Sequence, residues 1–453
     1  MPVVRLPHFH PAVPEYFLKL ALSYDYMQKY NILILGNGGR EHAMAAHFAN
    51  CASCAELYIA PGNPGTSALG TNLPLQGNYD PQEISLLIME HRIDLVVIGP
   101  EGPLESGLVD ELTALPELKS VKIFGPTKQA AQLESSKAFS KGFMKRGGIA
   151  TAPAVTFTKA LQSEALNYLR GHHMPVVIKA DGLAAGKGVI IAHSEAEAIQ
   201  AVEEIFGGQF GTAGDTILIE DFLTGREFSV FIAIHEDQYI LLPIAKDYKK
   251  IEEGDLGANT GGMGAVSPVP FVDEVMMERV KNEVIIPTVA QLKAENISFT
   301  GFIFFGMIEV QGKPYVIEYN ARFGDPEAEV VFPRIQGDMA HAIIELMSGR
   351  SSAPAIDPRF ATGIYVVSQG YPGSFQKGFP IDVIAIPTEN YIFHGGTKFD
   401  SAGSLVSNGG RVLFIGAMDE DLQRARQQAL KGCEALVFER KNYRSDIGYD
   451  VLP

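Results

Sequence analysis

Four short apolar runs in the first third of the chain each stop abruptly on glycine or proline. Ile32–Leu35 runs into GNGG, Leu57–Ala60 into PGNP, Asp94–Gly99 (DLVVIG) into PEGP, and Lys122–Gly125 (KIFG) into Pro126-Thr127. Helical patterning lies between them, beginning with the segment that ends at Phe48. Strands alternating with helices predict βαβ units and a parallel sheet. Such sheets bind ligands outside the carboxyl ends of their strands, where these turns fall. Residues 31–132 therefore read as one open α/β domain whose loops form a binding surface.

From about residue 133 the pattern changes. A basic helix at Ser136–Arg146 leads into strand-like runs at Pro175–Ala180, Val189–Ala192, Thr216–Glu220, Glu227–Ile234 and Tyr239–Ile244. Two Gly-rich loops separate some of them, Asp181–Gly188 (DGLAAGKG) and Gly207–Gly214 (GGQFGTAG), and Asn259–Pro268 (NTGGMGAVSP) reads as a third. Phe299–Val310 and Tyr315–Glu318 read as strands and Ala328–Pro333 as helical. From about 356 a smaller β-rich unit is expected, with strands at Ala361–Ser368, Asp382–Pro387 and Arg411–Ala417. The predicted fold class is α/β and α+β multidomain. A length of 453 residues fits about three domains of roughly 150 residues each.

The charge balance, 37 Lys and Arg against 53 Asp and Glu, argues against binding nucleic acid as a polymer, which needs a basic surface. It leaves room for a local cationic pocket and a small anion. Three cysteines, Cys51, Cys54 and Cys433, imply no disulfide framework and a reducing, cytoplasmic setting. Cys51 and Cys54 follow a helix rather than open one, so they read as two small thiols and not a redox pair. No apolar run reaches the roughly 18 residues of a membrane span. Residues 1–30 carry Pro2, Pro7, Pro11 and Pro14 and an apolar stretch broken by Lys19. They lack the marks of a signal or transit peptide. Met27 is the expected natural start, with residues 1–26 an upstream-start artefact or a dispensable extension.

GNGG opens like a dinucleotide fingerprint, but Glu41 stands where its third glycine belongs, and Ala60-Pro61 where an acidic residue belongs. An NAD(P) oxidoreductase is therefore disfavoured. A Gly-rich turn feeding a helix still offers free N–H groups and a positive dipole end to a phosphate; a tight turn with no ligand is the plainer alternative. GLAAGKG fails as a P-loop: Gly182 and Gly186 enclose three residues, and Gly188 follows Lys187 where Ser or Thr is required. A glycine hairpin closing over a triphosphate remains. Lys179, between apolar Ile178 and Ala180, faces one side of its strand, where a charge is costly unless used. Glu318 and Asn320, two apart, share a strand face. Their oxygens are hard ligands suited to Mg²⁺ bridging nucleotide phosphates. Arg322 and Asp325 suit a carboxylate and an amine; a solvated strand end is the other reading.

These pieces occur in one order: GNGGREHA (36–43, beginning at Gly36), GPEGPL (99–104), FGPT (124–127), QLESSKAFSK (132–141), PVVIKADGLAAGKGV (175–189), IEDFLTGREFSVF (219–231), NTGGMGAVSP (259–268), TGFIFFGMI (300–308), EYNARFGDPE (318–327), HGGTK (394–398) and NGGRVL (408–413). The combination closely resembles the phosphoribosylamine–glycine ligases, or glycinamide ribonucleotide synthetases, of de novo purine synthesis, from about residue 31 to the C-terminus. Ala258 stands where the family often has Pro, and Ala321 where it often has Cys.

The resemblance implies an ATP-grasp fold: a biotin-carboxylase-like α/β domain (31–132), ATP-grasp domains (133–345, with a lid at about 150–222) and a β-rich C-terminal domain (356–453). It implies that ATP, glycine and 5-phosphoribosylamine give glycinamide ribonucleotide, ADP and phosphate, with Mg²⁺ or Mn²⁺. It places Lys137 and Lys179 at the ATP phosphates and Gly182, Gly186, Lys187 and Gly188 in the flap. Glu220, Asp221, Phe222 and Leu223 fall at adenine, Glu227 at ribose, and Glu318 and Asn320 at the metal. Arg322 and Asp325, with Asp247, fall at glycine, and Gly38, Gly39, Arg40 and Glu101 at the ribosylamine. A monomer or weak homodimer without membrane or nucleic-acid partners is expected. Another ATP-grasp carboxylate–amine ligase and a non-catalytic nucleotide sensor are the alternatives. The intact Lys137, Lys179, Glu318 and Asn320 set argues against the sensor.

Overall fold

The structure is a computed structural model and describes residues 28–182 and 188–452. Residues 1–27, with Met27, and the flap residues Gly186 and Lys187 lie outside the described residues.

The first sheet is all parallel. Its order is Thr71–Asn72, Cys54–Pro61, Tyr30–Gly36, Leu95–Ile98 and Lys122–Phe124. Ile32, Leu33, Ile34 and Leu35 are fully buried, as a central strand covered on both faces requires. The chain leaves Tyr30–Gly36 toward one edge and returns to build the other. The switch point therefore lies between the ends of Tyr30–Gly36 and Leu95–Ile98, where GNGG and PEGP sit.

A four-stranded antiparallel sheet follows, ordered Ala154–Thr158, Thr216–Asp221, Val176–Ala180, Val189–Ala192. It buries its own small core, including Phe157, Leu169, Ile178, Val202 and Ile219, under the helices Gln162–Leu169 and Glu195–Glu204. Lys179 and Glu220 project from the other face.

The largest sheet runs in the order Lys313–Asn320, Thr300–Val310, Arg226–His235, Gln238–Asp247, Gly264–Ser267, Phe360–Ser368, Arg411–Asp419 and Asn390–His394. Gly264–Ser267 pairs with Lys246 and Asp247 on one side and with Ala361–Ile364 on the other. The long C-terminal strands thus continue the central sheet, and a single core spans both.

Three segments differ from expectation. Asp382–Pro387 is not a strand beyond Asp382. The Asp382 carboxylate accepts the Ile384 N–H at 2.8 Å, a local bond that competes with strand pairing, and Ile384 is 90% exposed. The strand at this place is Asn390–His394. Asn259–Pro268 is a loop only in part, because buried Ala265 and Val266 complete the sheet. Gly207–Gly214 continues the preceding helix as the further turns Ile205–Gln209 and Gly211–Gly214, anchored by buried Ile205 and Phe206.

Candidate active site

The switch point, the open face of the four-stranded sheet, the end of Lys313–Asn320 and the start of Arg411–Asp419 enclose a cleft of about 920 Å³. Gly38, Arg40, Glu101, Lys137, Lys179, Gly188, Glu220, Asp247, Glu318, Asn320, Arg322 and Asp325 all line it.

One end is cationic. Lys179 Nζ lies 2.9 Å from Glu220 Oε2, and Lys141 Nζ reaches the same oxygen at 3.3 Å. Lys141 also donates to Thr151 Oγ1 and the Ala152 carbonyl. Burial pulls it down to about 8 against the pull of Glu220. Glu220 Oε1 has no hydrogen-bond partner among the described residues. Lys137 opens the helix Lys137–Arg146, which is doubly capped: Ser136 Oγ accepts from Phe139 N–H and Asp181 Oδ1 from Ala138 N–H. Lys137 Nζ donates to the Asp181 and Gly182 carbonyls at the root of the flap. Burial lowers its pKa, and facing Glu318 opposes the shift.

Glu318 and Asn320 share a face across from Gly306 and Phe304. Among the described residues the Glu318 carboxylate makes no hydrogen bond or ion pair. Asn320 is buried, its Oδ1 accepts from Arg322 Nη2 at 3.3 Å, and its Nδ2 has no partner among the described residues. Two convergent oxygens beside a triphosphate-sized space fit a hard divalent cation that completes its shell with phosphate and water. No group of three or more His, Cys, Asp or Glu side chains able to hold a metal occurs among the described residues.

The other end mixes arginines and carboxylates. Arg40 is buried, with Nε on Glu41 Oε1 at 2.6 Å and Nη1 4.0 Å from Glu101. Burial would raise Glu101, but Arg322 and Arg40 outweigh it and hold its carboxyl below the usual range. The turn at the helix Gly39–Phe48 is less open than its sequence suggests. Glu41 Oε2 accepts the Gly38 N–H at 2.7 Å, so the residue that breaks the dinucleotide fingerprint caps its own helix. Gly39 lies behind the cleft, where a Cβ would strike the Tyr365 hydroxyl and Glu329.

Several expected residues stand apart from the cleft. Gly182 is at the flap root. Asp221 pairs with His172 at 3.2 Å, Phe222 is exposed, and Leu223 is half-buried beyond the strand end. Glu227 faces Lys249 at 3.7 Å. Lys249 also holds Asp247 at 2.8 Å, so that carboxylate already has a cation. Residues not anticipated are Glu41, Glu134, Lys141, Lys249, Tyr371 and Arg411, all of which line the cleft. Its position four residues after Lys137, on the same face of the capped helix, was a usable signal for Lys141. The Cys51 and Cys54 thiols are pushed up by burial to about 12 and about 11, which keeps them unreactive.

The fold and this cleft define an ATP-grasp protein. The biotin carboxylase domain of Hydrogenobacter thermophilus 2-oxoglutarate carboxylase, solved with MgADP, superposes with a TM-score of 0.69 over 92% of each chain at 16% identity, a likeness of fold alone. Family models are more specific: the N domain of phosphoribosylglycinamide synthetase matches residues 30–134, its ATP-grasp (A) domain 135–328 and its C domain 361–450. The chain belongs to the phosphoribosylglycinamide synthetase family. It is 38% identical to the phosphoribosylamine–glycine ligase of Halalkalibacterium halodurans over 93% of this chain and 97% of that one. It is 40% identical to that of Chlorobaculum tepidum, over 93% and 100%. The crystal structure of the Thermotoga maritima phosphoribosylamine–glycine ligase superposes with a TM-score of 0.79 at 33% identity, covering 92% and 100%.

Proposed function

We propose that this chain joins glycine to 5-phospho-β-D-ribosylamine at the expense of ATP, giving glycinamide ribonucleotide, ADP and phosphate in purine synthesis. The observation that carries the reading is the arrangement of one cleft: lysines at one end, an oxygen pair in the middle, and an arginine with a free N–H at the other. A carboxylate is a poor electrophile. A glycine carboxylate oxygen attacks the γ-phosphorus, the bond to ADP breaks, and glycyl phosphate forms. The ribosylamine nitrogen then attacks the acyl carbon, phosphate leaves, and the nitrogen loses its proton.

Lys137 and Lys179 meet the ATP phosphates, where negative charge builds in both steps, so positioning and electrostatics supply the rate. Glu220 Oε1 suits an adenine amino group; in this reading the backbone at Asp221–Leu223 serves adenine and Glu227 the ribose. In this reading the glycine-rich segment from Gly182 to Gly188 serves to exclude water. Mg²⁺ or Mn²⁺ held by Glu318 and Asn320 would neutralise phosphate oxygens. Arg322 takes the glycine carboxylate, and Asp325 its amine, with Asp247 contributing. Gly38, Gly39, Arg40 and Glu101 serve the ribosylamine.

No described helix is long and apolar enough to cross a membrane. We infer a cytoplasmic monomer or weak homodimer without nucleic-acid partners, a reading supported by its acidic balance and free thiols. The test is ADP release with each substrate omitted in turn. Release that needs both glycine and ribosylamine is expected; release with a different carboxylate or amine in preference counts against the assignment.

A further inference from the structure

Glu134 sits in the last turn of the helix Lys128–Ser135, whose N-terminus is capped by Thr127. A carboxylate there faces the negative end of the helix dipole, and burying it costs further free energy. The side chain is only 9% exposed. Burial, opposed by Arg322, holds its carboxyl above the usual range. A residue so unfavourable locally needs a partner elsewhere in the fold.

It has two. Oε1 lies 2.8 Å from Arg322 Nη2, and Oε2 accepts the Ala321 N–H at 2.8 Å. Both oxygens thus end on the two residues that follow Asn320. Arg322 Nη2 also donates to Asn320 Oδ1, and Nη1 donates to the Phe323 carbonyl at 3.0 Å. Arg322 Nε is buried and makes no hydrogen bond among the described residues, 3.6 Å from Glu101 Oε2. Three of the five guanidinium N–H groups are thus held through the outer nitrogens, and the residue lines the cleft.

We propose that Glu134 is a positioning residue for substrate binding: it locks the Arg322 guanidinium and the Asn320–Arg322 backbone in the orientation in which Arg322 meets the glycine carboxylate. This rests on the reading of Arg322 given above. Glu134 touches no substrate; it acts through Arg322.

Glu134→Gln preserves volume but replaces one acceptor with an NH₂ group, which must then face either Arg322 Nη2 or the Ala321 N–H, donor against donor. The expected result is a rise in glycine KM of roughly 10- to 100-fold, the scale of one charged hydrogen bond, with ATP KM little changed. Glu134→Asp, which keeps both acceptors on a shorter stem, falls between. Arg322→Lys raises glycine KM by itself, and the double variant is no worse than Arg322→Lys alone, because the two changes act through one group. An unchanged glycine KM in Glu134→Gln, or losses that multiply in the double variant, overturns the proposal. Arg322→Lys with an unchanged glycine KM overturns instead the assignment of Arg322, and the proposal with it. Should Glu134→Gln fail to fold, the same cycle with Glu134→Asp carries the same criteria.

Discussion

Lys179 and Glu220 meet on one face of two antiparallel strands, Nζ to Oε2 at 2.9 Å. The register sets Glu220 opposite Val177, so Lys179 is its diagonal neighbour on the same face. Lys141 adds a second ammonium to the same oxygen. Two cations on one buried carboxylate leave the face positively charged, a state that an anionic ligand relieves.

Replacing Glu220 with Gln removes the charge that holds both lysines. ATP KM is expected to rise roughly 10- to 100-fold, as for losing a charge-assisted hydrogen bond, while glycine KM stays near the parent value. Steady-state kinetics with each substrate varied gives the answer. Equal changes in both constants would show that Glu220 serves the fold and not the nucleotide end.

Glu318→Ala should lower kcat by roughly 100-fold or more, the scale of losing an electrostatic element of a phosphoryl-transfer site. Because the Glu318 carboxylate is bonded to no described group, the melting temperature should not move. A magnesium titration beside a thermal melt tests both halves. Near-normal kcat with the same magnesium dependence would falsify the ligand assignment.

Glu327 makes stability depend on pH. It is buried, accepts from Ser229 Oγ at 3.2 Å, and is pushed up to about 7 by burial and by Asp247, with Lys249 opposing. The folded state therefore holds a proton that the unfolded state releases nearer pH 4.5. This group's contribution is intact below that value and is lost as pH rises toward 7, by at most about 3 kcal/mol. Glu327→Gln is neutral at every pH. It should match the parent in thermal melts at pH 5 and exceed it at pH 8. A gain of the same size at both values would rule out proton linkage.

The cleft was legible in the sequence wherever a local period carried the chemistry. Lys179 and the Glu318/Asn320 pair announce themselves by alternation on apolar strands, and GNGG by its place after the first one. Glu134, Tyr371 and Arg411 carry no such mark, because their partners are set by the fold. Glu134 meets Ala321 across 187 positions, and Arg411 meets Gly261 across 150. Local chemistry also misled. The run Asp382–Pro387 is apolar enough to read as a strand, yet its aspartate closes a turn inside it. GNGG promised open N–H groups, yet Glu41 occupies one. The sharing of one sheet by the central and C-terminal segments depends on Gly264–Ser267, whose opening glycine reads as loop.

That shared sheet brings Arg411 into the cleft. Its guanidinium lies 4.6 Å from the centre of the Tyr365 ring, Nη2 pairs with Asp325 Oδ2 at 2.9 Å, and Nη1 donates to the Gly261 and Asp325 carbonyls. Beside it the Tyr371 hydroxyl accepts the Gly261 N–H at 3.0 Å. At Gly262 a φ of +112° and the close Pro326 ring admit no side chain. The C-terminal segment therefore pins both Asp325 and the Asn259–Gly262 turn. Arg411→Lys keeps the charge but not the planar fork, so it cannot hold three oxygens in that plane. The expected loss in kcat/KM for glycine and ribosylamine is roughly 10- to 100-fold with ATP KM preserved, and Tyr371→Phe, which removes one neutral hydrogen bond, should cost roughly threefold to tenfold. Steady-state kinetics on both variants, with thermal melts to confirm folding, measures this. If Arg411→Lys retains both kcat/KM values, the C-terminal strands support the cleft wall without setting the geometry of Asp325.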